Sequence, residues 1–165
     1  MIIKYTNFSD GIHQINFSEP AEKLGFSDQF FGLVDVSCRM DKSIHQIVLD
    51  CKINVNSKMI CDRCTSEFTS KISTQFRMTY IFSKEHHQSD ELNFRFLSTE
   101  EDKIDIGTDV IEYIQLDIPM KKLCKDDCKG LCPKCGANLN EKQCDCKSET
   151  SNDVWEPLKK LKFNN

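Results

Sequence analysis

The chain has 165 residues, 29% of them charged, and a formal net charge of −4, the profile of an ordinary soluble protein of one domain with at most a small appendage. So acidic a chain is not expected to coat nucleic acid nonspecifically. The opening "MIIKYTNFSDGIHQ" lacks the basic start and apolar run of a signal peptide, and no stretch approaches the roughly 20 apolar residues that span a bilayer. These features predict a cytoplasmic protein with no membrane association, in a compartment that keeps thiols reduced.

The first eighty residues read as β-structure. "IHQINF", "FFGLVDVSC", "IHQIVLDCKINV" and "EFTSKISTQFRMTYIF" are rich in β-branched and aromatic residues and alternate with a period of two. Alternation implies one wet face, hence an antiparallel sheet or partly closed barrel. "SEP" and "LGFSD" read as turns, "SKEHHQSDE" as a polar loop, "LNFRFL" as a short strand and "STEEDKID" as an acidic connector. In "GTDVIEYIQLDIPM" the period changes to that of a helix. Val110, Ile111, Ile114 and Ile118 form its apolar stripe, Thr108 or Asp109 is expected to cap its start, and Pro119 helps to end it. The fold expected is α+β: a β-rich unit over residues 1–119, closed by one main helix, then a cysteine-rich metal module with an amphipathic tail over residues 120–165. In that tail, "DVWEPLKKLKF" carries Val154, Leu158 and Leu161 on one side.

Ten cysteines in a reducing compartment point to metal rather than disulfides. Cys38 and Cys51 stand singly in strand-like runs and are expected to pack in the core as free thiols. The other eight form four pairs, Cys61/Cys64, Cys124/Cys128, Cys132/Cys135 and Cys144/Cys146, the count for two tetrahedral Zn²⁺ sites. "CDRC" joins two β-rich runs, the setting of a zinc knuckle rather than of a redox motif at a helix start. In "CPKCG", Pro133 limits the turn and Gly136 permits the positive φ that turns backbone N–H groups toward sulfur. Two partitions fit the spacing. We favour Cys132, Cys135, Cys144 and Cys146 as a local site, with Cys61 and Cys64 completed at long range by Cys124 and Cys128. The rival pairs Cys124/Cys128 with Cys132/Cys135. Four thiolates leave no open coordination position, so both ions are expected to be structural. No histidine begins the H-x-E of a zinc deaminase, and neither a phosphate-binding glycine loop nor a G-x-S-x-G elbow occurs. His86–His87 and the carboxylates of "STEEDKID" read as solvated surface.

Taken in order, "CDRC" in a β-rich half, a helix ending in "LDIPM", "LCKDDCKGLCPKCGANLNEKQCDC" and a closing D-x-x-x-x-L-x-x-L resemble the YceD family, bacterial and plastid proteins known as large ribosomal RNA subunit accumulation proteins. The resemblance covers about the last two thirds of the chain, and the N-terminal strands match only in general character. "DVWEPLKKL" departs from the family's frequent D-P-R start, so no shared role passes to Val154 or Trp155. Some family members lack the "GLCPKCG…CDC" part but keep the earlier pair, which supports a detachable local site. The resemblance implies a role in large-subunit ribosomal RNA synthesis, processing or accumulation, with the precursor particle as partner. It implies neither an enzymatic activity nor a small-molecule substrate. A zinc-module regulatory or transcription-associated adaptor and a thiol redox sensor are the rival classes.

Charge is uneven. Residues 1–119 hold 12 basic and 19 acidic side chains, net −7; residues 120–165 hold 10 and 7, net +3. Lys121, Lys122, Lys125, Lys129 and Lys134 crowd the thiol pairs and are the candidate RNA or partner contacts.

Overall fold

The computed structural model describes residues 1–83, 93–98 and 100–146; the 83–91 loop beyond Ser83 and the expected tail helix lie outside them. Four strands carry the fold: β2 (Gly11–Pro20), β3 (Phe30–Lys42), β4 (Gln46–Ile60) and β5 (Glu67–Ser83), each antiparallel to the next. A short β6 (Phe94–Ser98) extends this sheet beyond β5. β1 (Ile2–Ile3) and β7 (Ile104–Asp105) pair separately, and the helix α1 spans Gly107–Leu116.

Period-two patterning explains the sheet. Along β4 the alternate residues Ile47, Leu49, Cys51, Ile53, Val55, Ser57 and Met59 are buried, while those between them face outward or lie half-buried. Each such aliphatic side chain contributes roughly 1.5–3 kcal/mol by leaving water. α1 covers the apolar face: Val110 and Ile114 are fully buried, Ile111 and Ile118 pack at the margin, and Tyr113 stacks on Phe76 with ring centroids 4.9 Å apart. The opposite face is polar, with a shallow depression of about 640 Å³ lined by Gln14, Arg39, Asp50, Lys52, Gln75 and Arg77.

Several expectations are corrected. Among the described residues no barrel closes: the strand order β2-β3-β4-β5-β6 leaves the sheet open, with β2 and β6 at its edges and β6 paired to Thr79–Ser83. That pairing is parallel, so the sheet is not wholly antiparallel. "SEP" extends β2 instead of turning. The connector "STEEDKID" supplies β7, whose Ile104 is buried. Neither Thr108 nor Asp109 caps α1, whose N-cap is Ile106 without a side-chain bond. Buried Asp109 is instead drawn into a two-pronged, partly solvated pair with Arg95 on β6, one prong being Nη1 to Oδ2 at 3.1 Å. Cys38 and Cys51 are buried as expected but are not separate thiols. They are register partners across β3 and β4 with Cα atoms 4.0 Å apart, and a disulfide joins them. Directly opposed residues on one face of an antiparallel pair bring their Cβ atoms within reach of such a bond.

Candidate metal centres

β4 and β5 are joined by the turn Cys61–Ser66. Cys61 N–H donates to the Ser66 carbonyl at 2.9 Å, Thr65 N–H donates to the Cys61 carbonyl at 2.9 Å, and Thr65 takes a left-handed φ of 57°. This closed turn presents Cys61 and Cys64 together at the end of the sheet, the knuckle geometry expected of "CDRC". The chain after α1 returns to it. Asp62 and Lys122 exchange two bonds: Asp62 N–H donates to the Lys122 carbonyl at 2.8 Å, and Lys122 N–H donates to Asp62 Oδ2 at 2.6 Å. Arg63 Nη1 donates to the Cys128 carbonyl at 2.8 Å. Cys124 and Cys128 thereby arrive beside the knuckle.

The result is a tetrad of Cys61, Cys64, Cys124 and Cys128 whose ligand atoms all lie within 4.8 Å of one another. Sγ of Cys61 and Cys128 are 3.8 Å apart, and those of Cys64 and Cys124 3.6 Å. Four sulfurs placed tetrahedrally at about 2.3 Å from Zn²⁺ would be separated by about 3.8 Å. The donor set and its spacing fit that ion. Cys61, Cys64 and Cys128 are buried, with Phe68 and Leu123 packed around them.

A second tetrad, Cys132, Cys135, Cys144 and Cys146, meets the same 4.8 Å limit. Its first half is a turn in which Cys132 N–H donates to the Ala137 carbonyl at 2.8 Å and Gly136 N–H to the Cys132 carbonyl at 2.9 Å. Gly136 holds φ 70°, the left-handed conformation expected of it. Leu131 and Asn138 form an isolated antiparallel bridge across this loop. The thiols thus group as the favoured partition divides them, one tetrad long-range and one local, and the rival pairing of Cys124/Cys128 with Cys132/Cys135 is not what the fold brings together.

Electrostatics differ from thiol to thiol within each tetrad. Burial pushes the Cys61 thiol up, but backbone N–H groups of Cys124, Cys64 and Arg63 outweigh it and bring the thiol down to about 6. The Ser66 hydroxyl and N–H lower Cys64. Burial and then the neighbouring thiols Cys64, Cys128 and Cys61 push Cys124 up to about 12. In the local tetrad, N–H groups of Cys135 and Lys134 draw Cys132 down to about 6, while the Cys135 thiol and burial push Cys146 up to about 12. Protein groups alone therefore stabilise some thiolates and oppose the rest. A divalent cation at the centre would reverse that opposition and ionise all four.

Lys121, Lys125, Lys129 and Lys134 are exposed around the tetrads and Lys122 is half-buried. Lys125 lies 3.9 Å from Asp127. Sequence reasoning missed Arg63, which binds Cys128 as above and accepts Leu131 N–H on its carbonyl at 3.1 Å. It also missed Gly130, which holds φ 76°; a Cβ there would meet the Arg63 carbonyl oxygen at 3.0 Å. The positive-φ cue of a glycine beside a ligand cysteine was present in "KGLC". Gly130→Ala should destabilise this junction by about 1–3 kcal/mol. It should be read as faster hydrogen exchange at Leu131 and Leu139; unchanged exchange would show that the close approach does not matter.

A β-sheet domain whose hairpin knuckle shares a thiol tetrad with a cysteine-rich tail defines a sheet protein with two candidate metal centres. The family model of the large ribosomal RNA subunit accumulation protein YceD matches residues 49–162, more than half of the chain, and the chain belongs to that family. The chloroplastic large ribosomal RNA subunit accumulation protein YCED homolog 1 of Arabidopsis thaliana is 40% identical over 60 residues, 36% of this chain and 19% of the relative. Its Zea mays namesake is 46% identical over 46 residues, 27% of this chain and 16% of the relative. An uncharacterized protein of Mycobacterium tuberculosis is 27% identical over 115 residues, 65% of this chain and 52% of the relative. The chain thus spans about half or less of the length of these relatives. No solved structure matches the chain at a significant level. Among the described residues no helix is long and apolar enough to cross a membrane.

Proposed function

We propose that this protein is a non-enzymatic assembly factor that supports large-subunit ribosomal RNA accumulation by binding the immature particle, and that each tetrad holds a structural Zn²⁺. The observation that carries the reading is that the family match at residues 49–162 takes in both tetrads and the lysines around them. The family name is that of proteins of large ribosomal RNA accumulation. A closed thiolate tetrad offers no position for substrate, and its role is to hold the tail against the sheet.

Charge shapes how such a protein would bind. Eight thiolates with two Zn²⁺ would take the formal net charge from −4 to −8, cancelling much of the tail's positive balance. Nonspecific attraction to RNA is then weak, and contact falls to a small shaped patch. Exposed Lys121, Lys125 and Lys129, with half-buried Lys122, form the patch for RNA, and the acidic sheet domain faces a basic ribosomal protein.

Gradient sedimentation of lysate with and without the protein tests this. The protein should co-migrate with immature large subunits, precursor RNA should fall on depletion, and reversing the charges of the four lysines should weaken association with zinc content unchanged. A protein that stays at the top of the gradient, with normal precursor levels, contradicts the assembly role and favours a regulatory adaptor.

A further inference from the structure

Asn140 belongs to the loop of the local tetrad, between Cys135 and Cys144, yet its side chain reaches the other tetrad. Its Nδ2 donates to Cys128 Sγ at 3.3 Å and to Asn138 Oδ1 at 2.9 Å, while its Oδ1 accepts Lys129 N–H at 2.9 Å. The orientation is determined chemically. A backbone N–H can only donate, so the amide oxygen must face Lys129, and the NH₂ group is left facing the sulfur. Both amide hydrogens and one oxygen lone pair are thereby used. Asn138 is held in turn: its Oδ1 also accepts Asn140 N–H at 3.1 Å, and its Nδ2 donates to Glu141 Oε1 at 2.7 Å.

The loop that carries this amide is held by hydrogen bonds rather than by burial, among them Glu141 and Lys142 N–H to the Asn138 carbonyl, each at 3.2 Å. Residues 137–140 are half-buried and 141–143 exposed, with none fully buried. Its shape rests on the turn at Cys132–Ala137, the Leu131–Asn138 bridge, Leu139 N–H to the Gly130 carbonyl at 2.9 Å, and the return of the chain to Cys144 and Cys146. A cation shared by Cys132, Cys135, Cys144 and Cys146 would clamp both ends of that loop. Groups that hydrogen-bond a metal ligand orient it and tune the affinity of the site, with losses of about 10–100-fold when they are removed.

We infer that Asn140 is a positioning residue that couples the two centres: filling the local tetrad fixes the loop, and the fixed loop presents the Asn140 amide to Cys128, so the long-range tetrad retains its metal more tightly. The inference rests on the reading that both tetrads hold zinc. Coupling of this kind is reciprocal, so the long-range ion also favours the local one. Arg63 offers a separate mechanical link between the modules, through its bonds to Cys128 and Leu131. The test must therefore separate a donor to sulfur from mere continuity of structure.

Asn140→Asp keeps the shape and the acceptor for Lys129, loses the amide donors to Cys128 and to Asn138 Oδ1, and adds a negative charge; comparing it with and without the local tetrad separates coupling from these local losses. The full chain is first assayed for zinc, and two per chain are expected. Release to excess chelator, followed with 4-(2-pyridylazo)resorcinol, is then compared in four proteins: the unaltered chain, Asn140→Asp, Cys144→Ser/Cys146→Ser, and the three changes combined. Asn140→Asp should speed release from the long-range tetrad on the order of 10-fold with two zinc still bound at the start. The Cys144→Ser/Cys146→Ser chain should release its single zinc equally fast, and adding Asn140→Asp should change nothing more. Unchanged release in Asn140→Asp overturns the role of the amide. An undiminished effect of Asn140→Asp in the chain lacking the local tetrad overturns the coupling. A chain that takes up no zinc at all removes the metal reading itself, an outcome visible before any variant is compared.

Discussion

Cys128→Ser should cost the protein one of two zinc ions and free the segment after α1 from the sheet. Cys128 is buried, its Sγ lies 3.8 Å from that of Cys61 and accepts the Asn140 amide, and among the described residues no fifth ligand joins this tetrad. A serine oxygen is a poor substitute for a thiolate on Zn²⁺. The apolar contribution at this junction is small: Phe68, Leu123 and the thiols themselves. On the proposed reading metal binding would supply the rest, since structural Zn²⁺ in small modules contributes about 10–16 kcal/mol of binding free energy at neutral pH. Hydrogen exchange should show lost protection around Asp62, Lys122 and Cys128, with the β3–β4–β5 amides still protected. Two zinc retained, or unaltered protection at Asp62, would mean that the long-range tetrad does not tether the tail.

Arg95→Ala should destabilise the sheet domain itself. Asp109 is 1% exposed and its charge is answered by Arg95, which is partly solvated. Burial pushes the Asp109 carboxyl above its ordinary range, and the Arg95 guanidinium pulls it back. Removing the arginine strands a buried carboxylate at a cost of about 3 kcal/mol. For a domain of this size that lowers Tm by roughly 6–12 °C. The sign with pH follows from linkage. With its folded-state pKa raised further, Asp109 in the variant binds a proton more readily folded than unfolded. Stability is then lost as pH rises through the interval between those two values. The deficit should therefore be smaller at about pH 5 than at about pH 8, and Asp109→Asn should recover part of it. An equal deficit at both pH values would show that stranded charge is not its cause.

How much of this was legible beforehand differs by element, for physical reasons. Period-two alternation in "QIVLDCKINV" is a local property that survives folding, so β4 and its buried face could be read directly. The α1 stripe was equally local, since Val110 and Ile114 are one helical turn apart. Pairing partners are not local. The β3–β4 hairpin turns at Ser43–Gln46, where Ser43 N–H donates to the Gln46 carbonyl at 2.9 Å. Had that centre been fixed from "DKSIHQ", the register would have set Cys38 opposite Cys51. The Arg95–Asp109 pair escaped because it depends on β6 pairing parallel to β5, which no alternation signals. The candidate ligand cysteines were picked out by spacing, and their grouping followed from giving the lone "CDRC" pair a partner. Asn140 carries no such mark, because an asparagine in a polar loop looks the same whether it faces water or sulfur.

Native mass spectrometry of the chain purified without chelator should find two zinc ions per chain, both lost on acidification, with Cys38 and Cys51 the only cysteines joined in a disulfide. A metal-free chain, or disulfides among the eight remaining cysteines, would contradict the zinc reading.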